Sequence, residues 1–221
     1  MRIHIASIAI AFCLSCQPVW ADKCADTLRA LAKRTKSFLR TAEFEGLCAA
    51  LAKNEITYSK ETGGFIDPDE KDVPLELRAR DLNRDGAREV FVHAQSHYWG
   101  GAKGDVLWLF VRNRAPRSPY RTNLGFSSDG YTVLQQTYNG YPYIRVFPRA
   151  VCSAIWQWNG TDYAHACNIP ETPNGCPDGR PICTEQLTSH STEPARKAAQ
   201  AGEFRRYPSS LEPTAVRPLE R

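Results

Sequence analysis

Five positions in one short stretch carry the clearest chemistry of this chain. In Asp81-Leu82-Asn83-Arg84-Asp85-Gly86-Ala87-Arg88-Glu89, oxygen-bearing side chains fall at the first, third, fifth and ninth places. That spacing lets Asp81, Asn83, Asp85 and Glu89 surround a hard cation, with the carbonyl of Ala87 as a further donor. Gly86, at the sixth place, permits the sharp turn that wraps the backbone around it. An all-oxygen cage of flexible geometry suits calcium better than magnesium, so structural Ca2+ is the expected cofactor. The loop is not an EF-hand: its twelfth place is Val92, and its flanks alternate like strands. The competing reading is a polar hairpin turn without a metal, since Asx-rich turns ending in Asp-Gly are common.

A second segment, Ser96-His97-Tyr98-Trp99-Gly100-Gly101-Ala102-Lys103-Gly104, combines three glycines with two large aromatic rings. Such rings are costly to display to water without a purpose. His97, Tyr98, Trp99 and Lys103 are therefore the candidate partner-binding residues. The alternative folds Tyr98 and Trp99 back onto the core. Phosphate is not expected there, since no helix follows whose N-terminus could meet an anion. His93 and His97 stand four residues apart, but strand geometry separates them by about 13 Å, too far to share one ion. His165 has no identifiable partner in the sequence. No nucleophile sits in a recognisable elbow, and no carboxylate pair is spaced for sugar hydrolysis, so no catalytic residue is expected.

Strands must position both segments. From Leu75 the apolar period is two, and dense runs follow at Val90–Val92 and Val106–Val111. Tyr120–Leu124, Tyr131–Gln135, Tyr143–Phe147, Val151–Trp158 and Thr161–Cys167 continue the series, which predicts about eight strands in an antiparallel meander. Upstream, Leu28, Leu31 and Ala32, then Phe38, Leu39, Ala42, Leu47, Ala50 and Leu51, follow helical spacing. Residues 54–74 are polar, with a Gly63-Gly64 pair and clustered acids, and are expected to form an exposed connector. The expected class is α+β, mainly β: a short disulfide-linked helical lead before an antiparallel β-domain.

The chain has 221 residues, 42% of them hydrophobic, and a net charge of +4. That composition excludes a disordered chain, a collagen and a coiled coil, and its dispersed charge argues against nucleic acid. Arg2, the apolar stretch Ile3–Ser15 and Val19-Trp20-Ala21 read as a secretory signal cleaved after Ala21. A membrane anchor is disfavoured by the shortness of that stretch, and acylation of Cys16 is a weaker alternative. The expected division is 1–21 signal peptide, 22–74 helical lead and connector, 75–185 β-domain with the calcium loop, and 186–221 mobile tail. Export to the periplasm is the expected address, with no transmembrane segment in the mature chain.

Without the signal, Cys24, Cys48, Cys152, Cys167, Cys176 and Cys183 remain, an even set that reads as disulfides. Proximity favours a sequential pairing. Trp156–Tyr163 spells a hairpin around Asn159-Gly160, and a two-residue turn there would bring Cys152 opposite Cys167. A bulge would disturb that register. Asn159-Gly160-Thr161 is also a glycosylation sequon, read here as turn chemistry.

The Asp-x-Asx-x-Asp-Gly-x-x-acid loop between strands resembles the calcium loop of FG-GAP/VCBS-type β-propeller repeats. The resemblance extends through Asp105–Val111, Gly140-Tyr141-Pro142 and Trp156-x-Trp-Asn-Gly-x-x-Tyr163 to a group of exported bacterial propeller-like proteins. It implies a propeller-like β-domain. Some members of that group resemble immunity proteins that protect the periplasm from lysozyme-like secreted toxins. The resemblance therefore implies a binding protein that inhibits a cell-wall hydrolase. The alternatives are a non-enzymatic structural or adhesive envelope protein and a secreted hydrolase with an unrecognised site.

Overall fold

The computed structural model describes residues 19–101, 104–113, 118–147, 152–172, 176 and 181–183. Two helices come first, α1 (Val19–Arg34) and α2 (Thr41–Lys53). The expected cleavage point after Ala21 falls in the first turn of α1, while residues 1–18 and the expected tail lie outside the described residues. Cys24, Ala25, Leu28 and Ala32 bury one face of α1 against Phe44, Leu47, Cys48 and Leu51 of α2. The Cys24–Cys48 disulfide clamps the pair, as expected.

A small hairpin, β1 (Thr57–Tyr58) and β2 (Phe65–Ile66), follows. Residues 54–74 are mostly exposed, as their composition suggests, but they form a hairpin anchored on the helices. Ile56, Phe65 and Val73 are buried in the helical core, too widely spaced to form a periodic pattern.

Each of the eight expected strands is present. The first four are β3 (Leu75–Arg80), β4 (Glu89–Gln95), β5 (Asp105–Val111) and β6 (Arg121–Ser127). They make an antiparallel meander. A second four-stranded meander holds β7 (Gly130–Tyr138), β8 (Tyr141–Phe147), β9 (Cys152–Trp158) and β10 (Tyr163–Pro170). A one-turn helix, α3 (His97–Gly100), lies between β4 and β5.

Alternation along β4 and β5 explains the layering. Val90, Val92, Ala94, Val106, Trp108 and Phe110 face the helices. Phe91, Leu107, Leu109 and Val111 face the second sheet, where they meet Tyr131, Ile144, Val146, Trp158 and Tyr163. Helices, first sheet and second sheet thus form successive layers. The outer face of the second sheet buries Leu134, Ile155 and Ile169 with Cys167 and Cys183. The chain is mainly β with N-terminal helices, and the described residues form no closed barrel or propeller.

The sequential disulfide set is overturned at its second and third bridges. Cys152 joins Cys176 and Cys167 joins Cys183. Trp158 pairs with Tyr163, so the β9–β10 loop is Asn159–Asp162 instead of a two-residue turn. The Asn159 side chain builds that loop by accepting from the backbone N–H of Thr161 and of Asp162. A bulge between His165 and Cys167 shifts the register again, leaving Cys152 opposite Pro170 and Cys167 opposite Ile155. Both cysteines then bridge to the segment beyond β10, where Ile182 pairs alongside Asn168.

Candidate functional site

The loop 81–88 joins β3 to β4, and its acids organise its own backbone. Asp81 accepts from the amides of Asp85 (3.1 Å) and Gly86 (2.9 Å). Asp85 accepts from the amide of Ala87 at 2.7 Å, and Asn83 Oδ1 accepts from Asp85 N at 3.1 Å. Arg84 and Gly86 both adopt positive φ, 61° and 87°, which wraps the chain around these oxygens. Only the glycine does so without strain.

Glu89 begins β4 on the face turned toward the second sheet. It is 0% exposed. Its Oε2 accepts from Leu82 N at 2.8 Å, which draws the carboxyl back to the loop. Its Oε1 is buried with no hydrogen-bond partner. Burial, helped by the charges of Asp85 and Asp81, outweighs the hydrogen bonds from the amides of Leu82 and Glu89 and pushes the Glu89 carboxyl up to about 7. Tyr141 is pushed up to about 12, first by burial and then by the charges of Glu89 and Asp85. A buried carboxyl beside two others is the arrangement that a divalent cation relieves.

Asp81, Asn83, Asp85 and Glu89 therefore share one loop, and each carboxylate oxygen keeps acceptor capacity beyond its amide contact. Among the described residues, no three His, Cys, Asp or Glu side chains are already drawn together as a metal cage. The unpartnered Oε1 of Glu89 leaves an oxygen that fits a cation. Asn83 also donates through Nδ2 to Tyr141 OH and to Asp85 Oδ2.

The candidate partner loop lies at the other end of β4, about 20 Å away for a strand of this length. Ser96 governs it. Its hydroxyl donates to Asp67 Oδ2 at 2.7 Å and accepts from Tyr98 N at 3.1 Å, capping α3. Gly100 presses on β5, where a Cβ would stand 2.4 Å from Asp105 N. Trp99 is half-buried, its ring edge-on to Trp108 at 5.4 Å, so it is a foundation of the loop. Tyr98 stacks edge-on against Trp99 and is 47% exposed. His97 is exposed, with Nδ1 3.1 Å from the Gly101 carbonyl. Lys103 lies outside the described residues.

His93 turns toward Asp105, with Nε2 3.7 Å from Oδ1. His165 does have neighbours: Asn168 Oδ1 lies 3.2 Å from Nε2, and Trp156 packs edge-on. The sequence carried no local signal for the Asp67–Ser96 brace or the Asn83–Tyr141 contact, since both join distant segments.

Comparison with models of known protein families, with curated proteins and with solved structures returned no match. Three disulfides among the described residues are compatible with an exported chain. No helix among those residues is long and apolar enough to cross a membrane.

Proposed function

We propose that this chain is a calcium-stabilised periplasmic binding protein that inhibits a lysozyme-like cell-wall hydrolase. The observation that carries the binding role is Tyr98, exposed on a loop that Ser96, Asp67 and the Trp99–Trp108 contact hold rigid. An aromatic ring on a pre-organised loop supplies contact area at low entropic cost. In this reading Tyr98 enters the sugar-binding cleft, His97 flanks it, and Lys103 meets an acidic catalytic group. Trp99 acts from behind, by fixing the ring that makes contact.

Calcium has a structural role. Asp81, Asn83, Asp85, Glu89 and the Ala87 carbonyl would hold it, neutralising the acids around the buried Glu89. Purified protein should bind and inhibit a lysozyme-like hydrolase encoded beside it. Tyr98→Ala should weaken that binding by more than roughly 1 kcal/mol without lowering the melting temperature. Normal binding by Tyr98→Ala would remove the loop from the reading. Absence of any hydrolase binding would leave the structural envelope role.

A further inference from the structure

We propose that the turn between α1 and α2 is a docking site for an anionic phospholipid surface, with Phe38 as its apolar anchor. Phe38 is 73% exposed. It does not stand out through looseness. The neighbouring Ser37 is buried, its amide bonds to the Ala32 carbonyl at 2.8 Å, and its hydroxyl accepts from Ala79 N at 3.1 Å. Arg88 reaches from the end of the β3–β4 loop to donate to the Phe38 carbonyl. The Cys24–Cys48 bridge clamps the two helices that carry the turn. An ordered backbone therefore holds this ring in water.

Cations flank it in the sequence. Between Asp26 and Glu43 the sequence has Arg29, Lys33, Arg34, Lys36 and Arg40 and no acid. Asp26 pairs with Arg29, and Glu43 is buried against Arg112. Lys33, Arg34, Lys36 and Arg40 are all exposed, and none is ion-paired among the described residues. The whole chain's charge is dispersed, but this turn concentrates it around one aromatic ring.

The complementary surface is negative, with an apolar layer beneath it. A stable protein interface needs a centre of several apolar residues that exclude water, and a lone ring does not supply one. A bilayer needs less. Its acyl region surrounds a single ring, and its headgroups accept flexible lysines and arginines in any arrangement. The geometry therefore favours reversible adsorption to anionic lipid, independently of Tyr98.

The test uses exported protein sedimented with vesicles of phosphatidylcholine alone or mixed equally with phosphatidylglycerol. Binding should require phosphatidylglycerol and fade as salt rises from about 0.05 to about 0.5 M. Phe38→Ala should lower partitioning roughly fivefold, and Lys33→Gln with Lys36→Gln roughly tenfold, at unchanged melting temperature. No binding, equal binding to both vesicles, or parental binding by either variant would overturn the proposal. So would capture of an acidic protein through this turn by a chain that ignores the vesicles.

Discussion

Asn83 Nδ2 donates to Tyr141 OH at 2.8 Å, joining the β3–β4 loop of the first sheet to the first residue of β8 in the second. Tyr141 is itself stacked on Trp158 at 4.1 Å, so the loop is tied to a rigid aromatic cluster. Tyr141→Phe keeps the stack and deletes the hydrogen bond. It should reduce stability by about 1 kcal/mol, and a double-mutant cycle with Asn83→Ala should show coupling of similar size. Urea unfolding of the four chains measures both. Additive losses would mean that the two residues act separately.

The calcium reading makes opposite demands on two carboxylates. Saturation at 100 times the dissociation constant should add about 2.7 kcal/mol. Asp85→Ala should erase that gain, lowering the melting temperature in calcium and changing it little in chelator. Glu89→Gln should erase the gain as well. In chelator, though, it should be neutral or stabilising by roughly 1 kcal/mol near pH 8, because it removes a buried charge whose Oε1 has no partner. Equal losses in calcium and chelator would show that both residues serve the turn alone.

Alternation in Leu75–Arg80 and the dense apolar runs Val90–Val92 and Val106–Val111 made the strands legible, and the spacing of Asp81, Asn83 and Asp85 made the β3–β4 loop legible. The β9–β10 register was not legible. It depends on the Asn159 side chain taking two amides and on a bulge that adds one residue, and neither leaves a composition signal. The Asp67–Ser96 contact was equally hidden, since it spans 29 positions between segments that the fold alone brings together. Trp99 and Tyr98 are adjacent and chemically alike, yet one supports the loop and the other meets water. Only the position of Trp108 separates their roles.

The revised disulfides have a direct chemical readout. Non-reducing peptide mapping should recover Cys24–Cys48, Cys152–Cys176 and Cys167–Cys183. Replacing Cys167 and Cys183 together by Ser should cost about 3 kcal/mol, the scale for a closed loop of this length. It should also loosen the segment beside Asn168, visible as faster exchange of the backbone amide at position 183, which in the parent chain bonds to the Asn168 carbonyl at 3.0 Å. A Cys152–Cys167 peptide would restore the two-residue turn.

Asp67 links stability at low pH to the partner loop. Burial pushes its carboxyl up, but the Ser96 hydroxyl, the amides of Lys71 and Asp69 and the Lys71 charge together hold it below the ordinary value of 3.8. A depressed folded-state value means that the unfolded chain binds the proton more tightly. The stabilisation is therefore complete above pH 3.8 and is lost as the pH falls through the lower, folded-state value. Asp67→Asn should lower the melting temperature near neutral pH and flatten its decline below about pH 4. The same substitution should weaken hydrolase binding, because Ser96 then loses its charged acceptor and the cap beneath Tyr98 loosens. Thermal melts across the acid range, set beside binding at neutral pH, separate the two effects. If the acid decline stays as steep in Asp67→Asn as in the parent chain, Asp67 is not the group that titrates.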